Sequence, residues 1–140
     1  MEYLIDASGE YVDLSYSPLF CQHYNDANNC AEFIINEINT LHIYDEFFKY
    51  MENGVVLDIG ANVGLFSLFI RPLVNQIYCI EPTPSHIKVF QDILSIFEIE
   101  NIKLSQCAIS NFTGQIEFSL TANSTMNSIG EYGNKYDPKI

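Results

Sequence analysis

Residues 55–68 read VVLDIGANVGLFSL, and the fold turns on how this stretch is parsed. Val55 to Ile59 is an apolar run of strand length, β-branched at its front and interrupted only by Asp58. Such a run predicts a strand buried on both faces. Gly60 and Gly64 follow, four positions apart with Asn62 between them, and mark a sharp turn. Leu65, Phe66, Phe69 and Ile70 then recur at helical spacing until Pro72 stops the pattern.

Working outward, the same alternation repeats. QIYCIE (76–81) predicts a second buried strand, and Thr83-Pro84 predicts the cap and first residue of a second helix. That helix carries Ile87, Phe90, Leu94 and Phe97 on one face. NIKLSQCAI (101–109) predicts a third strand and QIEFSL (115–120) a fourth, with hairpin chemistry between them at residues 111–114. Upstream, Phe33, Ile34, Ile38, Leu41, Tyr44, Phe47 and Phe48 form an apolar stripe. It predicts one lead-in helix from about Cys30 to Met51, capped by Asn28 or Asn29 and stopped by Asn53-Gly54. Tyr3 to Ile5 can start a strand, and Ser17-Pro18 and Asn25-Asp26 mark turns. The expected organisation is an N-terminal segment with its lead-in helix (1–53), an α/β unit (54–129) and a polar tail (130–140). Alternating strands and helices predict a parallel sheet.

At 140 residues the chain has room for one domain, and 48% hydrophobic residues suit a globular one. Its 18 acids against 6 bases give a net charge of −12, and the bases are scattered singly. Binding to nucleic acid or an anionic membrane needs clustered Lys and Arg, so neither is expected as the main partner. The N-terminus MEYLIDASGEY lacks a basic region and an apolar stretch of signal-peptide type, and GLFSLFI is too short to span a bilayer. A cytoplasmic protein is therefore expected. Cys79, within IYCI, is expected to be a small buried hydrophobe. Cys21, His23 and Cys30 allow a zinc site to be imagined, but the paired spacing of structural zinc is missing and reduced thiols are favoured. No metal is expected.

In open α/β sheets ligands bind beyond the carboxyl ends of the strands. Gly60 ends the first strand and permits a left-handed turn, or leaves bare backbone against a ligand. Asn62 tolerates left-handed geometry, and Gly64 allows close approach of helix to sheet. Glu81 ends the second strand about 20 residues on, where a carboxylate can accept both hydroxyls of a ribose. The combination predicts an adenosine-containing cofactor. A nicotinamide loop wants a second glycine on the pyrophosphate, and here Asn62 stands in that place. Asp58 would also repel a pyrophosphate. A cofactor with an ammonium and a sulfonium, and no phosphate, fits better: S-adenosylmethionine.

The blocks DIGANVGLFSL, IEPTPS and CAISNFTGQIEFSL resemble, in order and spacing, the FkbM-type S-adenosylmethionine-dependent methyltransferases, over roughly residues 37–129. The resemblance implies a Rossmann-like class I methyltransferase fold, three layers α/β/α, and O-methylation of a sugar or secondary-metabolite hydroxyl. It implies that Asp58, Gly60, Ala61, Asn62 and Gly64 form the methionine-side loop. Glu81 would hold the ribose, flanked by Pro82 and Thr83, with Cys107 and Ala108 bordering the adenine. Ile93 stands where that family often has Asn. The family continues beyond the NSTMNSI segment with further strands, including an acid-and-glycine motif that EYGNKYDPKI does not match. The chain thus resembles the N-terminal half of such an enzyme, with strands one to three and a hairpin strand. The residue that takes the acceptor's proton is expected outside that half, and no catalytic residue is assigned. In the family's sheet the first strand is central, so here VVLDI is expected at an exposed edge: either a second copy or another chain covers it, or the fold departs from the family's, or the isolated chain is unstable.

Competing readings stand beside these. The stretch 55–64 can be a plain strand–turn–helix, Asp58 a helix cap and Glu81 a solvated strand end. A cofactor-binding chain that needs a partner for turnover, and a nicotinamide-dependent oxidoreductase domain, are the alternative functions. His86, in a first helical turn, is expected on the surface, and His42 beside the apolar stripe can be a core histidine. The polar residues 123–127 are expected to form an ordinary loop.

Overall fold

The computed structural model describes residues 2–25, 31–111, 113–115, 118–119 and 128–129. The chain starts with a hairpin of β1 (Tyr3–Ile5) and β2 (Tyr11–Asp13), paired antiparallel. Asp6 holds the connection: its Oδ1 accepts from the N–H groups of Ser8 and Glu10 and from the Ser8 hydroxyl. A 3₁₀ turn (Leu14–Tyr16) leads into α1 (Pro18–Tyr24). Here Ser17-Pro18, expected to mark only a turn, caps a helix: the Ser17 hydroxyl accepts from Phe20 N–H at 3.0 Å and Pro18 sits where no amide partner is needed. The same hydroxyl donates to Asp92 at 2.5 Å, tying the start of α1 to the helix that carries Asp92.

The lead-in helix is not continuous. α2 (Ala31–Asn39) ends where the Asn39 side chain turns to the backbone of β1, accepting from Ile5 N–H at 3.0 Å and donating to the Tyr3 carbonyl. His42 then takes φ 51°, which no helix tolerates. The chain resumes as a 3₁₀ turn (Asp45–Phe47) and a single helical turn, α3 (Phe48–Met51). This break corrects the expected stripe. Ala31, Ile35 and Ile38 are buried, while Phe33, Leu41 and Phe47 face solvent, as does His42. The expected cap at Asn28 or Asn29 lies outside the described residues.

Three strands form the central sheet: β3 (Val55–Ile59), β4 (Gln76–Ile80) and β5 (Ile102–Ser105), in the order β3-β4-β5 and all parallel. Between β3 and β4 lie α4 (Leu65–Ile70) and a 3₁₀ turn (Arg71–Leu73), and between β4 and β5 lies α5 (Pro84–Ile96). Three parallel strands linked through helices make a Rossmann-like arrangement among the described residues. The third strand stops at Ser105, four residues short of expectation. β6 (Phe118–Ser119) pairs antiparallel with β7 (Ser128–Ile129) and not with β5, so the expected hairpin with the third strand is not formed among the described residues. The segments 120–127 and 130–140 lie outside the described residues.

One core joins the N-terminal segment to the sheet. Leu4, Val12, Leu14, Phe20, Ile35 and Ile38 pack in the same cluster as Leu65, Leu68, Ile77, Phe90 and Ile93. Ile93 is wholly buried, which explains an apolar residue there. The sheet itself has two unlike faces. Ile77, Cys79 and Ile102 are buried under helices, but Val55, Leu57 and Ile59 remain 67%, 57% and 57% exposed and the neighbouring Tyr78 50%. Among the described residues β3 is an edge strand, as expected, but it is not buried on both faces. An apolar run looks the same whether a second helical layer covers it or is missing, and the described residues supply two of the three layers. No described helix is long and apolar enough to cross a membrane.

Candidate functional site

The site is built at the carboxyl ends of β3 and β4. Where β3 ends, the Gly60 and Ala61 N–H groups both donate to the Ile80 carbonyl, at 2.8 and 3.1 Å, so the loop starts clamped to the neighbouring strand. Three residues of the loop adopt left-handed geometry: Gly60 (φ 82°), Asn62 (φ 53°) and Gly64 (φ 86°). Asn62 manages this as a short polar side chain does, its Oδ1 accepting from the next N–H, that of Val63, at 2.8 Å. The two glycines differ. A Cβ on Gly64 would lie 2.2 Å from the Phe90 ring, whereas one on Gly60 would meet nothing within 4 Å.

Glu81 is the pin of the site. Only 5% exposed, it accepts from Asn62 N–H through Oε2 and from Thr83 N–H through Oε1, both at 2.9 Å, with His86 Nδ1 3.2 Å from Oε1. Burial alone would raise its pKa. The hydrogen bonds from His86 and from Thr83, together with the charge of His86, outweigh burial and hold the carboxyl below its ordinary value. His86 is 3% exposed, not on the surface as its position in the first helical turn predicted. The turn faces inward because α1 covers it, and the rings of His23 and His86 meet edge to face at 5.5 Å. Thr83 stands at the cap position of α5 as expected, although its side chain makes no capping bond to the helix backbone.

Asp58, the next-to-last residue of β3, is half-buried. Its Oδ2 accepts from the Ser67 hydroxyl at 2.6 Å, so it takes a side-chain partner and caps no helical N–H. Ser67 Oγ also lies 3.0 Å from Cys79 Sγ. Burial pushes the Asp58 carboxyl up, the Ser67 bond opposes this, and the charge of Glu81 adds to the rise. Burial likewise pushes the Cys79 thiol up to about 11. Cys79 is buried as expected, and Cys21, Cys79 and Cys107 are free thiols. Cys30, the third member of the imagined zinc set, lies outside the described residues.

A cavity of ≈ 250 Å³ opens beside the loop, bounded by Asp58, Gly60, Ala61 and Asn62 from the predicted set. Tyr44 and Phe66 are also in its wall, and neither was singled out from the sequence, where both read as core aromatics. The other predicted residues stand apart from it. Gly64 packs under α5, and Glu81 and Thr83 brace the loop from behind. Pro82 is half-buried between them. Cys107 and Ala108 follow β5, where the Ser105 carbonyl accepts from both Glu81 and Cys107 N–H. Chemically, the cavity offers one acid, bare glycine backbone and aromatic rings.

With this geometry in view, the known proteins that resemble the chain can be placed. The chain is 34% identical over 101 residues to "Methyltransferase sdnD" of Sordaria araneosa, a match covering 70% of this chain and 39% of that protein. It thus spans well under half the length of this curated relative, and the similarity supports a methyltransferase relationship. No protein-family model matches. Partial structural overlaps include an rRNA methylase from Streptococcus thermophilus, with TM-score 0.45 and 20% identity over 49% of this chain and 39% of that one. Another is an S-adenosylmethionine-dependent methyltransferase from Clostridium acetobutylicum, with TM-score 0.43 and 13% identity over 64% and 41%. Overlaps of this size add nothing to the assignment.

Proposed function

We propose that the chain is the cofactor-binding half of an S-adenosylmethionine-dependent methyltransferase of the FkbM type. The observation that carries this reading is the loop. An acid, Asp58, borders the cavity at Gly60, and Asn62 occupies the place a pyrophosphate-binding glycine would need. Asp58, Gly60, Ala61 and Asn62 then face the methionine end of the cofactor. Glu81 is buried and outside the cavity lining, but its Oε2 keeps a lone pair beyond the one that Asn62 uses, and that lone pair is the proposed acceptor for a ribose hydroxyl. Gly64, Pro82 and Thr83 hold the loop and the acid in place, and Cys107 and Ala108 border the adenine. Bound S-adenosylmethionine would supply an electrophilic methyl group. The chain's own residues contribute proximity and alignment, which is where most of the rate of an in-line displacement arises.

The acceptor we propose is a small-molecule or glycan hydroxyl, a reading supported by the net charge of −12, which disfavours a polyanionic acceptor. A cytoplasmic setting suits the free thiols. Titration calorimetry tests the cofactor: S-adenosylhomocysteine should bind and NAD should not. Binding of NAD with none of S-adenosylhomocysteine would put a nicotinamide-dependent oxidoreductase in its place.

A second reading is favoured by the bare strand β3. Val55, Leu57 and Ile59 are exposed on a strand with no described neighbour on its outer edge. Such a strand is a template for another. We therefore propose that turnover needs a further chain, or a second copy, seated on β3. Full methylation by a species that sediments as a monomer would exclude this.

A further inference from the structure

We infer that Tyr44, from the N-terminal segment, forms the aromatic wall of the loop cavity and favours a ligand that carries a sulfonium. The inference rests on the cofactor reading above and assigns a residue to it from outside the α/β unit. Tyr44 lies in the break between α2 and α3, where its carbonyl accepts from Phe47 N–H at 3.0 Å and opens the 3₁₀ turn. Its ring packs on Phe66 at 4.8 Å and on Phe69 at 6.3 Å between centroids, tilted 54° and 49°. A ring held by two others on α4 and by its own turn has little freedom to swing away.

The break in the helix is what brings this ring to the loop. Tyr44, Phe66 and Ile34 line the cavity together with Asp58, Gly60, Ala61 and Asn62. Among the described lining residues there is a carboxylate and no basic side chain. Burial raises the phenol's pKa, and the charges of Glu37 and Asp58 raise it further, so the ring stays neutral. A neutral aromatic face attracts a cation most when water is kept away. With Asp58 supplying a negative charge nearby, the pair suits a sulfonium. A neutral thioether gains the packing and forgoes the charge attraction.

The test compares S-adenosylmethionine, with its sulfonium, and S-adenosylhomocysteine, with its thioether, by calorimetry on the full chain. Between wild type and Tyr44→Leu, the affinity for the sulfonium ligand should fall about fivefold more than that for the thioether, the size of a lost cation–π contact. Tyr44→Phe keeps the ring and should keep the wild-type ratio. Should the leucine variant melt early, Tyr44→Met fills the space without a ring, and the same change in ratio is expected. An unchanged ratio in the ring-less variants, with both ligands still binding, overturns the role of Tyr44 and leaves the cofactor reading standing. Wild-type protein that binds neither ligand overturns the cofactor reading and this inference together.

Discussion

The two ends of one glycine loop do opposite work. At Gly64 the missing side chain is filled by the Phe90 ring, and the backbone must take φ 86° as well. At Gly60 the φ is nearly the same, 82°, yet the space where a side chain would go is open. One glycine serves packing and the other leaves room. Conformation alone does not distinguish them; the surroundings do. The lesson is that a glycine required by geometry becomes a site only where nothing of the protein fills the space it leaves.

The largest effect is expected at the packed end. Gly64→Ala combines left-handed strain with a Cβ inside the Phe90 ring and should destabilise by about 3–5 kcal/mol, read from urea unfolding. A loss below about 1 kcal/mol would show that α5 shifts easily and that the contrast between the glycines is weak. Glu81, which spans the loop and the start of α5, comes next. Glu81→Ala strands the buried N–H groups of Asn62 and Thr83 and should cost about 3 kcal/mol. Because its folded-state pKa is lowered, the stability Glu81 contributes is present above its unfolded value near 4.5 and is lost as pH falls through the folded value. Glu81→Gln should therefore flatten the acid side of the stability profile below that value.

At the open end the expected effects on stability are smaller and those on binding larger. Gly60→Ala should cost only about 1–2 kcal/mol of stability, the left-handed strain alone. It should nevertheless weaken S-adenosylhomocysteine by tenfold or more in calorimetry, since the methyl group enters the cavity. If binding is unaffected, the cavity is not the cofactor's. Smallest in stability is Asp58→Asn, and its sign is reversed. The folded-state pKa of Asp58 is raised, so ionisation weakens the fold as pH climbs from the unfolded value near 3.8 through the folded one. The amide still accepts from Ser67 and removes that cost, so the melting temperature at neutral pH should rise slightly while affinity for the cationic cofactor falls. A drop in both would mean that the Ser67 contact needs the charge.

Much of this was legible in the sequence, and the exceptions share a cause. The runs 55–59 and 76–80 and the Pro-led helix from residue 84 are local patterns, and they appear nearly as the residues foretell. Gly60, Asn62 and Gly64 all take the left-handed turn that their residue types favour. What escaped depends on partners distant in the chain. Asn39 ends α2 because the backbone of β1 claims its amide. Tyr44 reaches the cavity only after that break, although it belongs to an apolar stripe that by itself says core. His86 is buried by a helix whose Ser17-Pro18 start is the same dipeptide that marks a turn. The open face of β3 has the same origin, since an apolar strand records that it should be covered but not whether its cover is present.

The sulfur of Cys79 can serve as a clock. Its thiol is shut behind Ser67 and Asp58 and burial pushes it up to about 11, so near neutrality the reactive thiolate is scarce. Alkylating reagents will reach exposed Cys107 from the native state, but modification of Cys79 waits for the sheet and α4 to part. The labelling rate at this one atom therefore counts the openings of the central sheet itself, and a ligand seated in the loop should slow it.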